Sequence, residues 1–261
     1  MGPSKRRPAR RRPRGSWFDE GAAARAVRFI ECLKHTKGKW AGRPFVLLAW
    51  QRKIVRDVFG WKRANGKRLY RFVYIEIPKK NGKSEFLAAV LLYMTFADGE
   101  AGPEVYIAAA DKEQSKIVFE TSAAMFDMEP ALQRLGYRVP STYRIVNIAM
   151  GGFYRALSSD VKSKHGFNVS AAGIDELHAH PNRQLYDVLT EGSGDAREQP
   201  LFWVITTAGT AARRDLAHGD GRGGSRSAVL VDLAGPVAGA GPRNPARRPR
   251  PGYSSSSSPS S

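Results

Sequence analysis

The sequence predicts an α/β fold in which a mostly parallel sheet carries helices on both faces. Three observations lead there. Short β-branched and aromatic runs at residues 71–77, 104–110, 170–175 and 201–207 alternate with helical spacings at 84–97, 112–126 and 183–190. Strands separated by helices in this way form parallel crossover units. The runs RFVYIEI (71–77) and LFWVITT (201–207) are almost continuously apolar, as strands covered on both faces must be.

Each element can be justified in order. Residues 17–33 place Phe18, Ala22, Ala26, Phe29, Ile30 and Leu33 at helical spacing, and 49–60 repeat this with Trp50, Ile54, Val55 and Phe59. A loop through Gly38, Gly42 and Pro44 joins them. The segment 84–97 is apolar on nearly all sides, so it is expected to be a buried helix. Runs at 143–149 and 153–157 flank Gly151–Gly152, a two-residue hairpin signal. Beyond residue 210 the chain turns to Gly, Pro, Arg and Ser, and only 228–233 (AVLVDL) could form a strand. The expected organisation is a basic disordered tail (1–16), one folded domain (17–210) and a low-complexity, disordered tail (211–261).

Composition narrows the function. A chain of 261 residues with 42% hydrophobic content can build one substantial domain. The single cysteine, Cys32, excludes an internal disulfide framework and fits a reducing, cytosolic setting. The longest apolar run, 86–97, is too short to span a bilayer, and the basic N-terminus has no apolar segment behind it, so it does not read as a secretory signal. The net charge of +18 is concentrated at the ends, with seven Lys/Arg and no acid in residues 1–14. A polyanionic partner, DNA or RNA, follows from that balance.

The chemistry lies at three strand ends. After the first run comes Ile77-Pro78-Lys79-Lys80-Asn81-Gly82-Lys83-Ser84. A strict Walker A motif has glycine where Ile77 stands, but its working end survives. Gly82 allows close backbone approach to a phosphate, Lys83 supplies charge to the β/γ oxygens, and Ser84 offers a hydroxyl to Mg²⁺ at a helix N-terminus. The run Ala171 to Glu176 delivers Asp175 and Glu176 to the ligand edge of the sheet. Asp175 is expected to hold Mg²⁺, and Glu176 to accept the proton of the attacking water. Thr206-Thr207-Ala208-Gly209-Thr210 ends the last strong strand, where small hydroxyl residues can sense a γ-phosphate. His178 and His180 alternate beside the acids, but Pro181 ends that segment and no cysteine assists, so they read as surface or packing residues.

The order Trp50–Gln51, PKKNGKS, HGFNVSAAGIDELHA and TTAGT resembles the terminase large subunit of tailed bacteriophages over residues 17–210. The resemblance implies a RecA-like P-loop NTPase (ASCE type) that uses ATP and Mg²⁺ to drive double-stranded DNA into a capsid in the host cytoplasm. It implies Gln51 on adenine, a nucleotide site including Lys79, Lys80, Asn81, Gly82, Lys83 and Ser84, and metal on Ser84 and Asp175. Glu176 and Lys83 are the implied catalytic groups, with Thr206, Thr207, Ala208 and Gly209 coupling hydrolysis to DNA movement. Where the family has an arginine in its Walker A motif this chain has Lys79 or Lys80, which keep the charge without the bidentate fork. Implied partners are the small terminase subunit, the capsid portal protein and further copies in a homo-oligomeric ring, with no membrane. Arg155, Lys162 and Lys164 are candidates, by charge alone, to complete a neighbour's site.

The family continues into a metal-dependent nuclease domain. After residue 210 this chain offers Asp215, Asp220 and Asp232 in low-complexity sequence. The expectation is a chain truncated or frame-shifted soon after residue 210, without endonuclease activity. Two other readings compete. Asp175-Glu176-Leu177-His178 is also a DExH sequence, which suggests a superfamily 2 helicase or translocase. A non-enzymatic basic DNA-binding protein would leave the order of the motifs unexplained.

Overall fold

The protein is described by a computed structural model, which covers residues 14–78, 81–109, 112–157, 167–176, 184–191, 197–207 and 228–232. A two-residue strand β1 (Trp17–Phe18) precedes helix α1 (Glu20–Cys32), and α2 (Ala49–Gly60) leads into β2 (Trp61–Lys62), the antiparallel partner of β1. The periodicity of 17–33 thus covers a strand and a helix. Asp19 divides them, because its carboxylate accepts the Ala22 N–H at 2.8 Å and caps α1. Then follow β3 (Phe72–Ile77), α3 (Lys83–Phe96), β4 (Glu104–Ala109), α4 (Lys112–Asp127) and the short α5 (Pro130–Gln133). Strands β5 (Gly136–Val139), β6 (Arg144–Asn147), β7 (Gly152–Ala156) and β8 (Ala171–Asp175), helix α6 (Gln184–Glu191), and strands β9 (Leu201–Thr207) and β10 (Ala228–Asp232) complete the order.

Eight strands form one sheet in the order β10-β3-β9-β8-β4-β7-β6-β5. Every pairing from β10 to β7 is parallel, and β6 alone is reversed, pairing antiparallel with β7 on one side and with the edge strand β5 on the other. Side chains alternate between the two faces with period two. Val73, Ile75, Ile77, Val105, Ile107, Trp203 and Ile205 face a core shared with α1, α2, α3 and α4. Tyr74, Tyr106, Ala172, Ile174, Phe202 and Val204 face a second core closed by Leu185, Tyr186 and Leu189 of α6. Helix α3 is buried from Phe86 to Thr95, as its all-round apolar sequence requires. Each large apolar side chain buried there contributes about 1.5–3 kcal/mol.

One expectation changes. Gly151–Gly152 is not a two-residue turn. Gly152 pairs with Asn147 inside the β6–β7 ladder, and the chain reverses over 148–151, with Gly151 at φ 67°. Sterics set this register, because a Cβ on Gly152 would lie 2.2 Å from Pro103 Cδ and 2.4 Å from Pro103 O. The possible strand named beyond residue 210, at 228–233, is β10, which pairs in parallel with β3 from Ala228↔Phe72 to Asp232↔Glu76. That covers the edge of β3 that would otherwise be open. The expected tail 1–16 lies almost wholly outside the described residues, as does 211–261 apart from β10.

Candidate active site

The parallel strands all end at one edge, and two of them deliver the predicted motifs there. Strand β3 stops at Ile77, and Asn81 Nδ2 donates to the Pro78 carbonyl at 3.0 Å, drawing the following loop back on itself. Gly82 caps α3 at φ 70°, ψ 24°, a left-handed conformation that costs an L-residue about 1–2 kcal/mol. A Cβ built there meets nothing within 4 Å, so the glycine serves the backbone turn and leaves the approach open. Lys83, Ser84 and Glu85 form the first turn of the 14-residue helix, whose leading N–H groups have no partner within the helix. This end of α3 combines backbone N–H groups, the positive end of the helix dipole and the Lys83 ammonium, the donor set a phosphate needs.

Strand β8 brings the acids. Asp175 is its last residue and is buried, in register with Ala109 on one side and Ile205 on the other. Glu176 follows at φ 49°, one of two described non-glycine residues with positive φ, and its N–H donates to Ile205 O at 2.8 Å. This backbone turn aims the carboxylate at α3, where Glu176 Oε1 accepts a hydrogen bond from Lys83 Nζ. The P-loop lysine and the acid predicted to be catalytic are therefore in contact, although 93 residues apart. A strained non-glycine residue held by its surroundings is a recurrent mark of a functional position.

Strand β9 lies between these two strands. Thr206 is in register with Glu76, and Thr207 with Ile77, so the predicted coupling segment begins between the phosphate loop and the acids. Thr206 is fully buried. Gln51 sits near the start of α2, nearly fully buried, and its Oε1 accepts the Leu48 N–H at 2.9 Å. The amide expected on adenine is thus engaged in ordering the N-terminus of its own helix. Ser84 is partly buried, one residue beyond Lys83. Lys79, Lys80, Ala208, Gly209, Lys162, Lys164, His178 and His180 lie outside the described residues. Among the described residues no three His, Cys, Asp or Glu side chains converge as a metal cluster would.

Two features at this edge escaped the sequence reading. Glu76 is a buried carboxylate one residue from the end of β3, beside Thr206, and its signal was a lone acid in an apolar strand. Glu85 accepts from the Thr36 N–H at 3.3 Å and meets His35 Nδ1 at 2.9 Å, tying a distant loop to the first turn of α3. No local pattern announces that contact.

The topology identifies the fold. The strand after the phosphate loop's helix (β4) and the acid strand (β8) adjoin, while β9 separates the acid strand from β3. This is a RecA-like P-loop arrangement, and comparison with known proteins agrees. A family model for the ATPase domain of the terminase large subunit matches residues 49–221. The terminase large subunit of Enterobacteria phage HK97 is 28% identical over 188 residues, covering 70% of this chain and 36% of that protein. Protein YmfN of Escherichia coli (strain K12) is 48% identical over 44 residues, 17% of this chain and 10% of that one. The crystal structure of the HK97 bacteriophage large terminase matches with a TM-score of 0.60 at 26% identity, over 70% of this chain and 37% of that chain. The chain thus spans little more than a third of the length of these terminases. Nothing in these likenesses favours the helicase reading. With a family match over more than half its length, the chain belongs to the terminase large subunit ATPase-domain family.

Proposed function

We propose that this chain hydrolyses ATP as the motor portion of a phage terminase large subunit and couples that hydrolysis to movement of double-stranded DNA into a capsid. The observation that supports this most is the Lys83–Glu176 contact, which joins the N-terminus of α3 to the end of β8. Gly82 and the leading N–H groups of α3 bind the phosphates, and Lys83 balances their charge. Ser84 and Asp175 would hold Mg²⁺, directly or through water, and the ion neutralises charge developing on the phosphate oxygens. Glu176 takes the proton of the attacking water at its carboxylate, a role open to it once phosphate has drawn the Lys83 ammonium away. Gln51 contacts adenine on this reading, and Lys79 or Lys80 adds positive charge at the phosphates. Thr206 to Gly209 pass the change at the γ-phosphate to the sheet. The small terminase subunit, the portal protein and further copies of the chain in a ring are the partners, in the host cytoplasm. In the expected organisation residues 17–210 carry this activity.

The test is phosphate release by purified chain with Mg²⁺ and ATP. Slow turnover is expected from the isolated protein, because a ring motor completes its sites between subunits. Lys83→Ala should lose nucleotide binding, whereas Glu176→Gln should bind ATP and turn it over at least about a hundredfold more slowly. Unimpaired hydrolysis by Glu176→Gln removes that residue from catalysis.

A further inference from the structure

Between α1 and α2 the chain makes a finger, residues 34–45. Its two limbs meet at a Lys34↔Pro44 bridge, the His35 N–H donates to Arg43 O at 2.9 Å, and the Gly42 N–H donates to His35 O at 2.8 Å. The base is fixed twice. Phe45 is buried with the His35 ring 4.8 Å away, and His35 and Thr36 are both held by Glu85 in the first turn of α3. The tip is exposed from Lys37 to Pro44, apart from partly buried Trp40. Lys39 Nζ lies 5.2 Å from the centre of the Trp40 ring, and the Arg43 guanidinium lies 5.1 Å from it.

The charges at this tip differ from those on the neighbouring helices. On α2, Arg52 pairs with Glu31, Lys53 with Asp57 and Arg56 with Glu20. Among the described residues Lys37, Lys39 and Arg43 have no carboxylate partner, and residues 32–48 contain no acid. Two exposed cations flanking an indole, with a third exposed cation, Lys37, on the same pinned hairpin, form a positive surface that suits a polyanion. The finger also lies before residue 49, where the family match begins.

We propose that this finger is a DNA-contacting element, with Lys37, Lys39 and Arg43 on the phosphate backbone of duplex DNA and Trp40 as the rigid platform beside Lys39 and Arg43. That the polyanion is DNA rests on the function proposed above. Because Glu85 follows Ser84 directly, the finger and the phosphate-binding turn share one mount.

The experiment measures binding of the full chain to a short fluorescent duplex of mixed sequence by anisotropy, across a salt series. Each lost phosphate contact removes about 0.9 from the slope of log affinity against log salt. Replacing Lys37, Lys39 and Arg43 together by alanine should lower that slope by roughly 2–3 and weaken binding at low salt by about tenfold or more. The Lys37→Gln, Lys39→Gln pair, which keeps the Arg43–Trp40 contact, should lower it by roughly 2. Binding of ADP and the melting temperature should not change, which separates failure of the finger from failure of the nucleotide reading. Equal slopes and affinities in all three proteins overturn the proposal. So does a variant that keeps DNA binding but changes its sedimentation, because the tip would then be a protein-docking face.

Discussion

The two ends of helix α3 carry two ion pairs of opposite character. Just past its C-terminus, Asp98 accepts from Arg68 through both oxygens, at 2.7 and 3.1 Å, and the side chains are 2% and 6% exposed. At its N-terminus Lys83 meets Glu176 through a single oxygen, and the side chains are 9% and 19% exposed. The first pair is held by further contacts. Arg68 also donates to Gln199 O at 2.6 Å, and its guanidinium lies 5.5 Å from the centre of the Phe59 ring. The same end of the sheet has a second clamp, in which Arg197 donates to the carbonyls of Ala101, Gly102 and Asn168. An acid at a helix C-terminus opposes the dipole, so Asp98 needs such a partner. At the other end the cation is a point charge on a flexible stem, and its carboxylate sits on a strained residue. A planar bidentate fork suits a contact that must not change, and an ammonium suits one whose partner must be exchanged.

Substitutions can break or sharpen this contrast. The largest effect is expected at the fixed end. Arg68→Ala strands a buried carboxylate and should cost about 3–5 kcal/mol in denaturant unfolding. A loss below about 1 kcal/mol would place this pair among ordinary surface pairs and end the comparison. Next comes Lys83→Arg, which keeps the charge but lets a fork grip Glu176 through two bonds. ADP affinity should fall more than about tenfold while stability holds. Gly173 lies in β8 beneath the middle of α3, where an added Cβ would be 2.8 Å from Leu91 Cδ1 and 3.0 Å from Leu87 Cδ1. Gly173→Ala should therefore cost about 1–3 kcal/mol, and because it displaces α3 it should weaken ADP binding as well. The smallest effect isolates the strain at Glu176. Glu176→Gly and Glu176→Ala both remove the carboxylate, and the glycine variant should be the more stable by about 1 kcal/mol. Equal stabilities would mean that the positive φ carries no strain.

Much of this architecture can be read locally. The helix expected at 49–60 is α2 to the residue, and that at 84–97 is displaced by one residue in α3. The first follows from apolar spacing, the second from a run that is apolar on nearly all sides. That the segment 78–84 and the acid pair lie at strand ends could be read because each placement depends on a few adjacent residues. What escaped depends on partners far along the chain. The Lys83–Glu176 bond and the tie from His35 to Glu85 span long sequence separations. The register at Gly152 is decided by the body of Pro103, and no turn propensity contains that clash. For Gln51 the resemblance implied an adenine contact, and the structure adds that its side chain accepts the Leu48 N–H at the start of its own helix.

The central claim is that Lys83 exchanges Glu176 for phosphate. Calorimetric titration of ADP into the wild-type chain and into Glu176→Gln tests it most directly, because ADP has no γ-phosphate for the carboxylate to repel and no hydrolysis intervenes. A competing pair worth about 1 kcal/mol should make the Glu176→Gln chain bind ADP about fivefold more tightly. Equal or weaker binding by that variant would mean that the two groups do not compete, and that Lys83 holds phosphate and Glu176 together.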